Sequence, residues 1–335
     1  MDLSIVIPCR NEEKFIELCI NSVLNAAKDF SIEVIVVDGM STDKTIKIVS
    51  EIMQSDNRVK LFENQQQTTP FALNIGIDNS VGEYIMILGA HSEMEENYIS
   101  RLMDVFQKNP EAHCVGGLLE NVYENKISEI IGKAMSSSFG VGNAHFRTGS
   151  KSGFVDTVAF GTYKREVFEE IGKFDVDLAR NQDDEFNYRM IANNMKIFLD
   201  KDLSVKYYVR ASFKKLFRQY YQYGFWKVYV NKKHKNITTI RQLIPFLFVG
   251  FMLASSVLAV VLPKSLIFSL PFFLLYIILS LYSATKKSFK LKEIVLISYT
   301  FLILHFSYGF GYLWGIIWFL IFHQKPSKKH QELTR

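Results

Sequence analysis

Two rhythms of apolar residues share the first 110 positions of the chain. Short runs dense in β-branched residues, LSIVIP at 3–8, IEVIVVD at 32–38, VKLFEN at 59–64 and EYIMIL at 83–88, alternate with stretches where apolar side chains recur every three or four residues. In EKFIELCINSVLNAAK the apolar positions include 15, 16, 19, 20, 23 and 24, the spacing of one helix face. A run as continuous as IEVIVVD suits a sheet covered on both faces. Ser41 and Asp43 mark a helix start near Thr42, and PFALNIGIDNS at 70–80 predicts a further helix. Strands each followed by a helical crossover predict an α/β domain with a mostly parallel sheet, whose ligands collect beyond the carboxyl ends of its strands.

The alternation loosens after residue 110. HCVGGLLENVY reads as one more strand, and SSSFGVGNAHFRTGSKSG at 136–153 as a Gly- and Ser-rich loop able to close over a cleft and keep water out. A different regime begins at Leu243. Residues 243–262 and 266–283 are 20 and 18 residues without a charge, and 294–322 adds 29 more. As a helix rising 1.5 Å per residue, each run is long enough to cross the roughly 30 Å hydrocarbon core of a bilayer. The organisation expected is a catalytic domain over 1–205, a basic and aromatic juxtamembrane segment over 206–242, a transmembrane region over 243–323 and a basic tail over 324–335. Three crossings put that tail on the far side, against the pull of Lys325, Lys328, Lys329 and Arg335 toward the cytoplasm. Gly309, Gly311 and Gly315 leave a bend open in the last run, although a single tilted crossing is the simpler expectation.

Charge is divided as sharply as hydrophobicity. The chain carries a net charge of +5, yet residues 1–200 hold 19 basic and 31 acidic side chains, and residues 201–242 hold 11 basic and one acidic, Asp202. This girdle, which includes Lys214, Lys215, Arg218, Lys227, Lys232, Lys233, Lys235 and Arg241, abuts the first membrane run and fits a segment held by anionic lipid on the cytoplasmic face. Basic charge gathered beside a membrane run, and not on a globular face, speaks against a nucleic-acid partner. The opening MDLSIVIPCRNEE has no basic leader or long apolar core, so the catalytic domain of a multi-pass protein of the cell membrane is expected to stay in the cytoplasm. Cys9, Cys19 and Cys114 are odd in number and widely spaced, as reduced structural thiols are.

Polar clusters close the strands: PCRNEE after the first, DGMSTD after the second and GAHSE after the fourth. Together they offer what a nucleotide needs, an acceptor for its base, donors for ribose and phosphate, and a place for a cation. The chain has no G-x-G-x-x-G and no G-x-x-x-x-G-K-[ST], which removes the usual support for dinucleotide oxidoreductases and P-loop ATPases. In NQDDEFNYRM, Asp183, Asp184 and Glu185 open a helix, where the helix dipole alone would favour acids.

Taken in order, SIVIPCRNEE, EVIVVDGMSTDKT, ALNIGIDNSVGEYIMIL and NQDDEFNYRM resemble the inverting family 2 glycosyltransferases of GT-A fold, over about residues 2–230. The branch they are most similar to is that of the succinoglycan-type glucosyltransferases, which extend lipid-linked sugars. The resemblance implies a UDP-sugar donor and transfer of a hexose to a polyprenyl-diphosphate-linked saccharide. Bare polyprenyl phosphate as acceptor, and a non-catalytic nucleotide-sugar-binding assembly subunit, are the alternatives. By position it implies that Pro8, Arg10 and Glu12 form the nucleotide-side loop, that Asp38 recognises the uracil and ribose region, and that Asn74 supports the donor site. Arg147 and Asp156 would lie on the donor-sugar and acceptor wall, and Arg210 near the diphosphate. Arg218, Gln219 and Lys227 are candidate phosphate or lipid-phosphate contacts.

The family's Glu-Asp pair falls on Gln182 and Asp183, so the resemblance makes Asp183 the base that takes the acceptor's proton, with Asp184 the alternative if the register slips. Where the family carries Asp-x-Asp for a divalent cation, this chain has Gly89, Ala90 and His91. Either His91 holds the ion, Mn²⁺ in preference to Mg²⁺, with Glu93 a possible substitute ligand, or it donates directly to phosphate.

Overall fold

The computed structural model describes residues 2–149, 151–238 and 240–326. The chain divides into two compact units, one of Met1–Val122 and His145–Tyr208, the other of Tyr123–Ala144 and Val209–Arg335. Of the expected tail, residues 327–335 lie outside the described residues. The first elements are β1 (Leu3–Cys9), α1 (Ile16–Ala26), β2 (Ile32–Asp38), α2 (Thr45–Ser55), β3 (Val59–Glu63), α3 (Thr69–Asp78), β4 (Tyr84–Ile87), β5 (Ser92–Met94), α4 (Tyr98–Lys108) and β6 (Ala112–Val122). Next come α5 (Lys126–Met135), α6 (Ser138–Val141), α7 (His145–Thr148), β7 (Gly153–Val155), β8 (Ala159–Lys164), α8 (Arg165–Ile171), α9 (Gln182–Ala192) and β9 (Lys196–Tyr208). The helices α10 (Phe213–His234), α11 (Leu243–Val261), α12 (Leu266–Thr285) and α13 (Leu291–Gly315) follow, the last continued by a π-helical turn, Ile316–Ile321.

In the first unit one sheet runs in the order β3-β2-β1-β4-β8-β6-β9-β5, with β7 also on β9. The strands β3, β2, β1 and β4 are parallel, which the alternation of strand and helix requires; β8 enters antiparallel between β4 and β6. Every residue of β2 is buried, as its unbroken apolar run predicts. The period of two sorts β1 between the faces: Ile5 and Ile7 pack with Ile16, Ile20 and Val23, whereas Val6 packs with Leu73 and Ile77. The helix expected from Thr42 begins later, at Thr45, because the Asp43 carboxylate accepts from the Thr45 N–H at 3.0 Å and so holds a turn ahead of α2.

The second unit takes a segment that sequence reading assigned to the catalytic domain. After β6 the chain leaves the sheet as α5 and α6, and these pack on α13. Asn125 starts α5 with a capping box, its side chain accepting from the Ser128 N–H at 2.9 Å while the Ser128 hydroxyl takes the Asn125 N–H. On α5, Lys126 and Lys133 then reach Glu293 of α13 at 2.7 and 2.8 Å. Phe139 of α6 lies edge-on to Phe301, centroids 5.0 Å apart. Residues 136–153, expected as one loop over a cleft, are therefore divided between the units and contain two short helices.

Three helices, Leu243–Val261, Pro263–Thr285 and Leu291–Ile321, are long and apolar enough to cross a membrane. The basic and aromatic juxtamembrane segment, expected to be held by anionic lipid, forms a helix that is enclosed along its middle. In α10 the residues Gly224, Phe225, Trp226, Lys227 and Val228 are all buried, and only the ends are exposed. Glycines make this possible: a Cβ on Gly224 would collide with the Tyr308 carbonyl, and one on Gly311 with the Tyr221 carbonyl, so α10 and α13 meet backbone to backbone. Gln219, which donates to the Tyr223 hydroxyl at 3.0 Å, and Lys227 are 3% and 0% exposed. Burial among helices rules both out as contacts for a lipid headgroup; Arg218 remains exposed.

Candidate active site

The carboxyl ends of β1, β2 and β4 adjoin, since Cys9 pairs with Asp38 and Val6 with Ile87. Beyond them the loops after β1 and β2 are laced together. Asn11 accepts from the Thr42 N–H and Glu12 N–H donates to the Thr45 hydroxyl, both at 2.8 Å, and Asn11 N–H donates to the Ser41 hydroxyl at the same distance. Asn11 and Met40 both take the left-handed conformation, with φ of 55° and 60°. Asp38 is 1% exposed and accepts from the Ser41 N–H at 2.8 Å, so its carboxylate shapes the 38–41 turn. Pro8 and Arg10 lie half-buried on the same rim.

His91 emerges where β4 ends. Its Nδ1 stands 3.7 Å from Glu12 Oε1, and its ring lies 5.5 Å from that of Tyr207. The Arg147 guanidinium sits 5.5 Å over the same Tyr207 ring, a cation–π distance. The fold thus gathers Glu12, His91 and Arg147 from three distant segments through Tyr207, a residue that sequence reading did not single out. Glu93 does not join them; it is tied across β5 and β9 to Lys206 at 2.9 Å. Ala90 is 1% exposed and packs into the core, so its side chain makes no donor contact.

Gly89 has a steric reason to be glycine. A Cβ there would stand 3.0 Å from Cε1 of Phe160, inside ordinary contact. Phe160 has φ of 48°, a left-handed conformation uncommon for a bulky residue. Such backbone typically costs on the order of 1–3 kcal/mol and persists where its surroundings impose it. Any side chain at position 89 would start tight against this ring, which would have to give by a few tenths of an ångström.

Asp183 is the second residue of α9, which starts from Asn181 in the left-handed conformation, φ 61°. Its Oδ1 accepts the Asp184 N–H at 2.9 Å. The side chain is open to solvent, yet the protein round it is dense: burial first, then the charge of Asp184, raises its pKa above the ordinary aspartate value. A carboxyl that substrate can reach, with its pKa raised, is suited to take a proton. One turn on, Asn187 donates to the Thr157 hydroxyl at 3.0 Å, which ties α9 to the segment holding Asp156 and Phe160. Glu185 is buried and paired with Arg189 at 2.8 Å.

Asn74 acts through the main chain. Its Nδ2 donates to the Phe174 carbonyl at 2.8 Å and its Oδ1 accepts the Phe174 N–H at 3.0 Å, which spends its amide on the segment leading into α9. Arg210, Arg218, Gln219 and Lys227 belong to the second unit. A depression of about 680 Å³ between α1 and α2, lined by Glu17, Lys28, Glu51 and Arg58 among others, borders none of these candidate residues.

A mostly parallel sheet with Glu12 and His91 in the loops at its strand ends, Arg147 of α7 beside them and Asp183 opening α9 is the arrangement of an α/β domain that gathers its ligand beyond the carboxyl ends of its strands. The profile of glycosyl transferase family 2 matches residues 4–172, and the chain belongs to that family; it is a glycosyltransferase. It is 31% identical to the dolichyl N-acetyl-α-D-glucosaminyl phosphate 3-β-D-2,3-diacetamido-2,3-dideoxy-β-D-glucuronosyltransferase of Methanococcus voltae, over 92% of this chain and 95% of that one. Identity to succinoglycan biosynthesis protein ExoA of Rhizobium meliloti is 27%, over 72% and 73% of the two chains. The GalNAc(5)-diNAcBac-PP-undecaprenol β-1,3-glucosyltransferase of Campylobacter jejuni is also 27% identical, over 65% of each. Among solved structures, S. aureus TarS 1–349 in complex with UDP-GlcNAc superposes with a TM-score of 0.50 at 18% identity, covering 63% of this chain and 60% of that one, a likeness of fold.

Proposed function

We propose that this protein transfers a sugar, with inversion, from a UDP-sugar to a saccharide carried on a polyprenyl lipid. The observation that carries the reading is Asp183, a reachable carboxyl with a raised pKa at the start of α9. The acceptor hydroxyl gives its proton to Asp183 as its oxygen bonds the anomeric carbon. On the opposite face the bond from that carbon to the β-phosphate oxygen breaks, and UDP departs with the electron pair. Asp38 and the laced 11–45 loops form the ledge for the nucleotide, and Arg147 and His91 face its phosphates. Asn74 and Asn187 hold α9, and hence Asp183, in place; Asp156 stands in the segment that Asn187 anchors.

Members of this family typically use a divalent cation. His91 and Glu12 are the residues that would hold one here, their donor atoms 3.7 Å apart, and position 89 offers no ligand. Among the described residues no group of three His, Cys, Asp or Glu side chains is arranged for a metal, so two protein ligands leave most of the shell to diphosphate and water. When bound, the ion neutralises charge on the leaving diphosphate. A nitrogen–oxygen donor pair suits Mn²⁺ better than Mg²⁺.

The lipid-linked acceptor is supported by the relatives, whose names specify a dolichyl phosphate-linked sugar in one and an undecaprenyl diphosphate-linked saccharide in another. The test is to offer the purified full chain labelled UDP-sugars with three acceptors: polyprenyl phosphate, and a saccharide on polyprenyl phosphate or on polyprenyl diphosphate. Labelled product from a saccharide-bearing acceptor, with an inverted linkage, is expected. Product from bare polyprenyl phosphate alone would identify a monoglycosyltransferase, and nucleotide binding without turnover would identify a non-catalytic subunit.

A further inference from the structure

The apolarity of α13 says that it enters lipid; its neighbours say how. The helices α10 and α13 lie side by side and run the same way. Phe213 meets Tyr299, ring centroids 5.4 Å apart; Gly224 meets Tyr308; Asn231 donates to the Tyr312 hydroxyl at 3.0 Å; Lys232 donates to the Phe319 carbonyl at 2.7 Å. Whatever path α13 takes between residues 299 and 319, α10 takes beside it. Yet α10 has Lys214, Lys215 and Arg218 at one end, Lys232 and Lys233 at the other, and Lys227 between. The stretch from 219 to 231 is about 20 Å long as a helix, short of a roughly 30 Å hydrocarbon core. A helix with cations at those positions does not cross a bilayer, so its parallel partner does not cross there either.

The hairpin of α11 and α12 gives an independent measure. Phe251 faces Phe272 and Phe248 faces Tyr276, with ring centroids 5.2 and 4.5 Å apart. The two helices are therefore antiparallel, and the start of α11 and the end of α12 share one end of the hairpin. Beside the end of α12, Ser288 donates to Glu293 at 2.8 Å. Further along α13, Gly309 packs against the Pro245 carbonyl and Tyr312 stacks near Phe246, centroids 4.8 Å apart, both at the start of α11. Both stretches of α13 thus touch the same end of the hairpin. In α11 and α12 only 11% of the apolar span is buried, against 50% in α13. The large apolar residues that α13 and its π-helical turn expose, Leu291, Val295, Tyr299, Leu302, Trp314, Leu320 and Ile321, fall along one side.

We infer that the chain crosses the membrane twice, through α11 and α12, and that α13 lies in the plane of one leaflet with its Val295–Ile321 stripe facing lipid. That leaflet is the one where α11 starts and α12 ends, because both stretches of α13 touch that end of the hairpin. This replaces the three crossings expected from hydropathy. Lys286, Lys287, Lys290, Lys292 and Lys325 then all fall on one side, in accord with the positive-inside rule. Tyr299 and Trp314 sit at headgroup level, where amphipathic rings are favoured.

The test uses the full chain in intact cells. The native cysteines, Cys9, Cys19 and Cys114, are buried; Lys264→Cys, in the α11–α12 link, and Gln324→Cys, just after α13, are added singly and exposed to a membrane-impermeant maleimide. Labelling of Lys264→Cys and protection of Gln324→Cys until lysis are expected. Labelling of Gln324→Cys from outside, or protection of Lys264→Cys, overturns the inference. A second measurement keeps the native sequence: in vesicles of brominated phosphatidylcholine, the fluorescence of Trp314 and Trp318, together with that of Trp226 on the adjoining α10, should be quenched more by bromines near the headgroup than by bromines near the bilayer centre. The reverse order places α13 across the membrane.

Discussion

Asp183→Asn separates proton acceptance from every other task of that residue. The amide has the shape of the carboxylate and can still accept the Asp184 N–H, the bond made at 2.9 Å, so α9 keeps its start. What disappears is a basic oxygen. Positioned general bases contribute roughly 10²–10⁴ in rate, so transfer should fall by about that factor, a barrier increase of about 2.7–5.5 kcal/mol. Burial and the Asp184 charge raise the Asp183 pKa, so the wild-type rate should climb with pH through that raised value, and the variant should lose this limb. Stability moves the other way. A carboxyl with its folded pKa above its unfolded value near 3.8 contributes stability fully present below that unfolded value and lost as pH rises through the folded one. At neutral pH the Asn variant should therefore be no less stable than wild type. The assay is transfer of label from UDP-sugar to a supplied lipid-linked saccharide between pH 5 and 9, beside UDP affinity by calorimetry and thermal unfolding in detergent. Turnover within threefold of wild type, or a greater loss from Asp184→Asn, would refute the assignment of the base.

Gly89→Asp, which restores the family's first carboxylate, puts a Cβ 3.0 Å from Phe160 Cε1; overpacking of this kind costs roughly 1–3 kcal/mol. The melting temperature should drop with no gain in Mg²⁺ use, and adding Phe160→Ala should relieve the drop; improved Mg²⁺ use in the single variant would mean that the ring swings aside. His91→Ala should raise the Mn²⁺ concentration for half-maximal binding by tenfold or more, since even outer-shell partners of metal ligands are worth on the order of tenfold; Mn²⁺ resonance spectra in the presence of UDP read this directly, and an unchanged titration places the ion elsewhere. Asn74→Ala removes two hydrogen bonds to Phe174, worth about 0.5–1.5 kcal/mol each. It should lower kcat more than it raises the KM for donor, and a pure KM effect would instead make Asn74 a donor contact.

Much of this site was legible in the sequence because it sits at strand ends, and strands buried on both faces betray themselves. Asp38 follows a run in which every residue is buried, and His91 follows a strand whose end the hydropathy marks within a residue or two. Phe160 and Tyr207 were not legible. Each is an ordinary aromatic in a strand, and its role comes from a neighbour far along the chain, Gly89 for one and His91 with Arg147 for the other. The excursion of α5 and α6 was hidden for a similar reason. Its anchor, Glu293, lies 167 residues beyond Lys126, and its capping box ends in Ser128, where an acidic residue or Gln would have been the readable signal.

The juxtamembrane segment shows where composition misleads. A helix with seven Lys, Arg and His residues reads as a surface helix, and its ends are one. Its middle is enclosed because Gly224 and Gly311 remove the side chains that would hold two backbones apart, and a helix pair that close buries even Lys227. That contact also decides what the last apolar run means. Length and hydropathy describe a helix that lipid accepts, but they are the same for a helix across the bilayer and one along it. The difference lies in what packs alongside. A partner bearing cations at both ends and in its middle is compatible with only one of the two, so the charge on α10 sets the orientation of α13.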